Sequence, residues 1–139
     1  MAITQALCNS YKQEILGGTH LSSDTYKIAL FTSAASLDKN TTAYSSTNEV
    51  ANGGGYTTGG LTMSGFTTGL SGDTAYIDWT TDPQWTSASI TARGALIYNS
   101  TRSNKAVAVL DFGADYTSTN GNFTVVLPAA GATAIVRVA

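Results

Sequence analysis

The stretch TYKIALFTS, residues 25–33, sets Tyr26, Ile28 and Leu30 alternately with Lys27, Ala29 and Phe31. Successive side chains on an extended chain point to opposite faces, so this spacing predicts a half-buried strand. The same two-residue period recurs in TAYIDWT (74–80), SITARGALIY (89–98), KAVAVLDF (105–112), FTVVL (123–127) and AIVRV (134–138). Turn signals separate the runs: Ser71-Gly72-Asp73, Asn99-Ser100-Thr101, Asn120-Gly121, and Pro128 with Gly131. Several strands with no second helix between them predict a mainly β fold, an antiparallel sandwich or barrel. Gly94, inside its strand, predicts a bulge.

Only the N-terminal segment ITQALCNSYKQEILGG breaks the pattern. At 100° per residue, Ile3, Leu7, Cys8, Tyr11 and Ile15 share one arc, and Gln5, Asn9, Lys12 and Gln13 lie opposite. An amphipathic helix is expected over about residues 3–16, ended by Gly17 and Gly18, which supply the positive φ a helix C-terminus favours. It either covers part of a sheet or forms an arm that docks on another subunit. The organisation expected is one domain, 1–139, with a β-rich body over about 24–139.

Composition narrows the function. Apolar residues make up 42% of the chain and charged residues 12%, the latter about half the usual share. Ser, Thr and Asn fill roughly a third of the positions, yet seven Tyr, four Phe and two Trp speak for a folded chain over a disordered one. A net charge of −2 with scattered Lys and Arg gives no basic stripe, so nucleic acid is not expected as a partner. The opening MAITQALC has no basic n-region and no apolar run of membrane-spanning length follows, so a chain made in the cytoplasm and neither secreted nor membrane-bound is expected. Cys8 is the lone cysteine, which leaves no internal disulfide or cysteine zinc site; on the apolar arc it reads as inert packing.

Residues 53–72, GGGYTTGGLTMSGFTTGLSG, hold eight of the fourteen glycines. Phosphate chemistry does not fit them. A P-loop needs G-x-x-x-x-G-K-[ST], and Leu61 follows Gly59-Gly60; a dinucleotide fingerprint would need glycine at Thr58 and a following helix. A free tether does not fit either, because Tyr56, Leu61, Met63, Phe66 and Leu70 are regularly spaced and apolar. Glycine-marked turns in extended backbone are expected.

The remaining motifs offer little chemistry. Asp111-Phe112-Gly113 matches the magnesium triplet of kinases without the catalytic loop or the length of one, and reads as a strand end followed by a turn. His20, the lone histidine, reads as an exposed loop residue without a catalytic partner. Asp73, Asp78 and Asp82 are the nearest approach to a calcium cluster, but a turn, a strand and a pre-proline position predict a solvated face. Glu14, Asp24 and Asp38 form no acid–base pair. No catalytic, cofactor or metal site is expected, and the chain reads as a non-enzyme.

Surface recognition remains. Trp79 reads as core, while Trp85 in TDPQWTSAS follows a proline-marked turn and is expected at the surface, where a tryptophan can anchor an interface or stack on a sugar. Contacts to a sister subunit or other partner are expected from Ile3, Leu7 and Tyr11 on the helix, and from Tyr56, Phe66 and Trp85.

The segments MAITQALCNSYKQEILGGTH, TYKIALFTSAASL, TAYSSTNEVANGGGYTTGG and TARGALIYNS with KAVAVLDFG together resemble a family of small virion structural proteins of tailed phages, most like the capsid cement, or decoration, proteins of short-tailed phages. The resemblance spans essentially the whole chain and brings no catalytic or ligand motif. It implies a β-sandwich of jelly-roll type that forms a homodimer on the outer surface of the head and clamps major capsid subunits of HK97-like fold. The low charge agrees with close subunit contact, which then desolvates few ions. The alternatives are a tail-associated or receptor-binding adhesin that takes up a glycan, and a hydrolase dependent on His20.

Overall fold

The computed structural model describes residues 2–138. Its elements are β1 (Ala6–Leu7), α1 (Asn9–Leu16), β2 (Tyr26–Phe31), β3 (Leu61–Thr62), β4 (Ser64–Ser71), β5 (Thr74–Thr81), β6 (Gln84–Ala88), β7 (Thr91–Asn99), a 3₁₀ turn (Ser100–Arg102), β8 (Lys105–Thr117), β9 (Gly121–Thr124) and β10 (Val136–Val138). They build a five-stranded sheet in the order β1-β8-β7-β2-β3, a three-stranded sheet β10-β5-β4 and a pair β6-β9. All pairings of named strands are antiparallel, so the chain is mainly β as expected.

The central strands are buried on both faces, not one. Antiparallel partners share a face, which groups Tyr26, Ile28 and Leu30 with Asn99, Ile97 and Ala95, and Ala29 and Phe31 with Leu96 and Gly94. The first face is covered from the β10-β5-β4 side, where Tyr26 meets Phe66 at 5.4 Å and Trp79 at 5.5 Å. The second is covered by residues 32–60, with Tyr44 stacked on Tyr98 at 4.5 Å. Two covers explain why Ala29 and Phe31, on the expected outer face, are as buried as Ile28 and Leu30. Each large apolar side chain enclosed this way contributes about 2 kcal/mol.

The helix is shorter than the pattern suggests. Ile3 bridges Leu37, Ala6 and Leu7 pair with Val109 and Ala108, and helical structure starts at Asn9. The backbone of residues 3–4 is tied to Leu37 instead, with Thr4 N–H on Leu37 O at 2.9 Å, and that of residues 6–8 completes the edge of β8, with Cys8 N–H on Val107 O at 3.0 Å. A ladder of tertiary hydrogen bonds outweighs a short amphipathic pattern, because an isolated helix of this length is marginal. The C-terminus closes at the expected glycines, but Gly18 alone supplies the positive φ, at +81, while Gly17 stays right-handed at −86; Gly18 N–H bonds Ile15 O and Thr19 N–H bonds Glu14 O, a Schellman closure.

Gly94 sits at the expected irregularity, a register shift between Ala92 and Gly94 against β8. Beyond Asp111 the strand does not end; residues 112–115 bulge and Tyr116 resumes pairing with Ala92. The period-two run 123–127 yields only the short β9, and 134–138 only β10. The glycine-marked segment supplies β3 and the eight-residue β4, and β1 and β6 form where no strand was expected, β6 pairing Trp85 with Phe123.

Candidate interaction surfaces

The glycine run is a loop clamped onto the sheets. Gly54 and Gly55 both have positive φ and form a tight turn closed by Gly53 N–H to Tyr56 O at 2.8 Å, which directs Tyr56 into the core at 2% exposure. The Tyr56 hydroxyl accepts from Leu30 N–H at 2.9 Å and donates to Glu49. Glu49 also accepts from the Tyr44 hydroxyl and from Gly59 N–H at 2.8 Å. Tyr98 closes the set by donating to Gly59 O at 2.6 Å. One carboxylate and three tyrosines therefore hold residues 44–60 against β2 and β7.

Burial pushes these phenols up. Tyr98 and Tyr26 rise to about 12, the former by burial and then the Glu49 charge, the latter by burial and then Asp24. Tyr11, Tyr44 and Tyr56 are raised further, in each case chiefly by burial, with the Glu49 hydrogen bonds second for the last two. A phenol whose pKa is higher folded than unfolded stabilises fully below the ordinary value near 10 and loses that contribution as pH rises toward the folded value. Stability is therefore expected to fall steadily from about pH 10 upward. Absorbance at 295 nm and near-UV dichroism followed together should change in the same window; five phenols ionising with the fold intact would contradict the burial.

A second network surrounds His20. The Asn99 amide donates to His20 Nδ1 at 3.0 Å and to Asp24 Oδ2 at 2.9 Å, while its oxygen accepts from Thr101 N–H. That pattern assigns the imidazole proton to Nε2, which donates to Glu14 at 2.9 Å. Arg102 grips both Asp24 oxygens at 2.8 and 2.9 Å, and this pairing first, aided by Asn99 and Leu21 N–H, holds the Asp24 carboxyl far below the ordinary carboxylate range. His20 is thus no exposed decoration: its side chain is fully enclosed, its ring packed at a tilt against Tyr11 with centroids 4.7 Å apart, with both ring nitrogens occupied. It ties α1 to the β7 end and has no free nitrogen to act as a base.

Four of the six residues expected at an interface face this subunit's own core. Ile3, Tyr11, Tyr56 and Trp85 are 7%, 1%, 2% and 3% exposed. Ile3 fills the space above Gly94, Tyr11 lies on His20, and Trp85 packs on Tyr56 and Phe123. Leu7 and Phe66 remain half-buried against the core. Trp79 is core, as expected. Cys8 is fully buried, and burial, helped by Asp38 and Glu14, pushes its thiol up to about 11, so it is inert at neutral pH. Asp73 lies in the β4–β5 turn and Asp82 accepts from Leu127 N–H at 3.0 Å; among the described residues no three His, Cys, Asp or Glu side chains gather to hold a metal. Among the described residues no helix is long and apolar enough to cross a membrane.

The accessible apolar surface lies elsewhere. Leu70 and Val138 are 75% and 53% exposed. They flank a groove of about 470 Å³ between β4-β5-β10 and α1, lined by Ile15, Phe66, Ala75 and Ile77 among others. A second cleft, about 550 Å³, has Phe112, Tyr116 and Phe123 with Asn122 and Val126 in its wall. Neither Leu70 nor Tyr116 stands out in sequence, since exposure depends on which neighbouring strand happens to end. No protein-family model, no curated protein and no solved structure matches the chain.

Proposed function

We propose that the chain is a non-enzymatic virion structural protein, which binds the outside of a tailed-phage head and bridges neighbouring major capsid subunits of HK97-like fold as a homodimer. The observation that carries the reading is the resemblance of the segments at 1–20, 25–37, 42–60, 91–100 and 105–113 to the capsid cement proteins of short-tailed phages. On this reading the packed sheets are a jelly-roll-type sandwich with α1 as its amphipathic N-terminal element. The chain is made in the host cytoplasm and ends on the outer capsid surface.

The geometry supports this in three ways. The long connection over residues 44–60 and the link from α1 to β2 are clamped by the Glu49 and His20 networks, which suits a rigid bridging part. Apolar side chains are presented on two separate sides, at Leu70 and at Tyr116, as a clamp between neighbours requires. The surface offers few charges to desolvate, and weak contacts repeated around a closed shell add through multivalency. Shells lacking the protein should melt at a higher temperature and resist pressure better once the purified chain is added. Unchanged melting and pressure resistance would count against the reading.

The cleft at Tyr116 favours a second reading, a glycan-binding adhesin, because a half-exposed ring beside Asn122 and Thr124 can stack on a sugar and bond its hydroxyls. Trp85 is too buried to do so. A glycan array separates the readings: a specific signal lost in Tyr116→Ala selects the adhesin, and an empty array selects the cement protein.

A further inference from the structure

The three-stranded sheet ends on β4, and that edge is unguarded. The turn Gly72-Asp73 joins Ser71 directly to its partner Thr74, and a two-residue hairpin makes this flanking pair a hydrogen-bonded one. Alternation then assigns the ladder bonds to Ser71, Gly69 and Thr67. The N–H and C=O groups of Phe66, Thr68 and Leu70 point away from β5 toward the free edge. Gly65, at φ +82, interrupts the strand before them, so the regular edge runs from Phe66 to Ser71, about 20 Å.

Exposed edges in proteins that stay apart are blunted by charge, proline, bulges or shortness. The other edges here have such devices: β1 and β3 are two residues long, β10 is three and carries Arg137, β9 is four, β6 is shifted in register between Trp85 and Ala88, and the part of β8 beyond β1 bulges at 112–115. β4 has neither charge nor proline, and no charged residue occurs anywhere from 50 to 72. Its edge also carries the exposed apolar side chain of Leu70.

We propose that β4 pairs antiparallel with β4 of a second copy, joining two three-stranded sheets into one of six strands across a two-fold axis. The absence of charge identifies the occupant: an identical strand can approach without like-charge repulsion, whereas nothing on this edge would select a charged partner. Antiparallel pairing is self-complementary, as a two-fold interface requires. With the axis at Thr68, each Phe66 faces Leu70 of the other copy and the outward groups of residues 66, 68 and 70 all find partners. This places Leu70, unsupported in one subunit, against an aromatic ring. The inference rests on the cement reading only for the expectation that two copies act together.

Sedimentation and light scattering of the purified chain test it. A concentration-dependent approach to twice the 14.4 kDa monomer mass is expected. Thr68→Pro deletes an outward N–H that β5 does not use, and Leu70→Lys puts a charge at the seam; each should weaken dimerisation at least about tenfold. Val126→Lys, at an equally exposed site in the other cleft, should leave it unchanged. Circular dichroism identifies any variant that fails to fold, and two variants of different kinds keep the test decisive. A wild-type chain that stays monomeric, or folded Thr68→Pro and Leu70→Lys variants that still dimerise fully, overturns the proposal. Shell stabilisation by variants that still dimerise would leave the capsid reading standing with its seam elsewhere, and stabilisation by a monomeric chain would leave capsid binding without the homodimer; a β4-dependent dimer with no effect on shells would overturn only the capsid reading.

Discussion

Gly60→Ala is expected to destabilise the fold by about 4 kcal/mol, from left-handed backbone strain and overpacking together. Gly60 has φ +81, and a Cβ there would meet Ile28 O at 1.8 Å and Ala29 Cα at 2.8 Å. Both are backbone atoms of β2, the strand buried on both faces, so no side chain can swing aside. The loop would have to lift, opening the Gly59 contacts with Glu49 and Tyr98. In a domain of this size the loss corresponds to a fall in Tm on the order of 15 °C. Gly53→Ala is the control: φ is +115 with nothing within 4 Å of the added carbon, so only the conformational strain of about 1–3 kcal/mol remains. Thermal melts that rank the two variants equally would show that the close approach to β2 does not carry the effect. The comparison also separates two roles for glycine, tight turning at Gly53 and close packing at Gly60.

Strands β2, β5, β7 and β8 were legible because their alternation is dictated locally by the pleat. Elements fixed by distant partners were not. Ile3, Leu7 and Tyr11 satisfy a helical spacing, yet residues 3 and 7 are taken by Leu37 and Ala108, about 34 and 101 positions away, in a bridge and an edge pairing. The same holds for His20, whose partner Asn99 is 79 residues distant; only Glu14, six residues before it across the glycine turn, lay near enough to signal a pair. Exposure was the least legible quantity. Leu70, between Gly69 and Ser71, and Trp85, between Gln84 and Thr86, are both apolar residues flanked by uncharged polar residues or glycine. What separates them is the size of the neighbours: Trp85 is paired with Phe123 and packed on Tyr56, whereas Leu70 is paired only with Ala75, and its other side is the free edge of β4.

Trp85→Ala should therefore cost about 3–5 kcal/mol in the isolated subunit, the range for emptying a buried aromatic site. The indole lies between Tyr56 at 5.9 Å and Phe123 at 6.2 Å, at the junction of the β6-β9 pair with the clamped glycine loop. Its removal leaves Tyr56 without one wall, and the Tyr56 hydroxyl bonds to Leu30 and Glu49 would loosen with it. An interface role for Trp85 predicts the opposite: unchanged melting of the free protein and a loss only in the assembly. The indole N–H gives a finer test, because it is buried without a hydrogen-bond partner, and an unpaired buried donor costs about 1–3 kcal/mol. Trp85→Phe loses some volume but removes that penalty, so its Tm should stay within a few degrees of the native value while Trp85→Ala drops on the order of 15 °C. Equal losses in the two variants would mean that the N–H is satisfied after all, and equal stability would mean that the ring does not hold β6 to the loop.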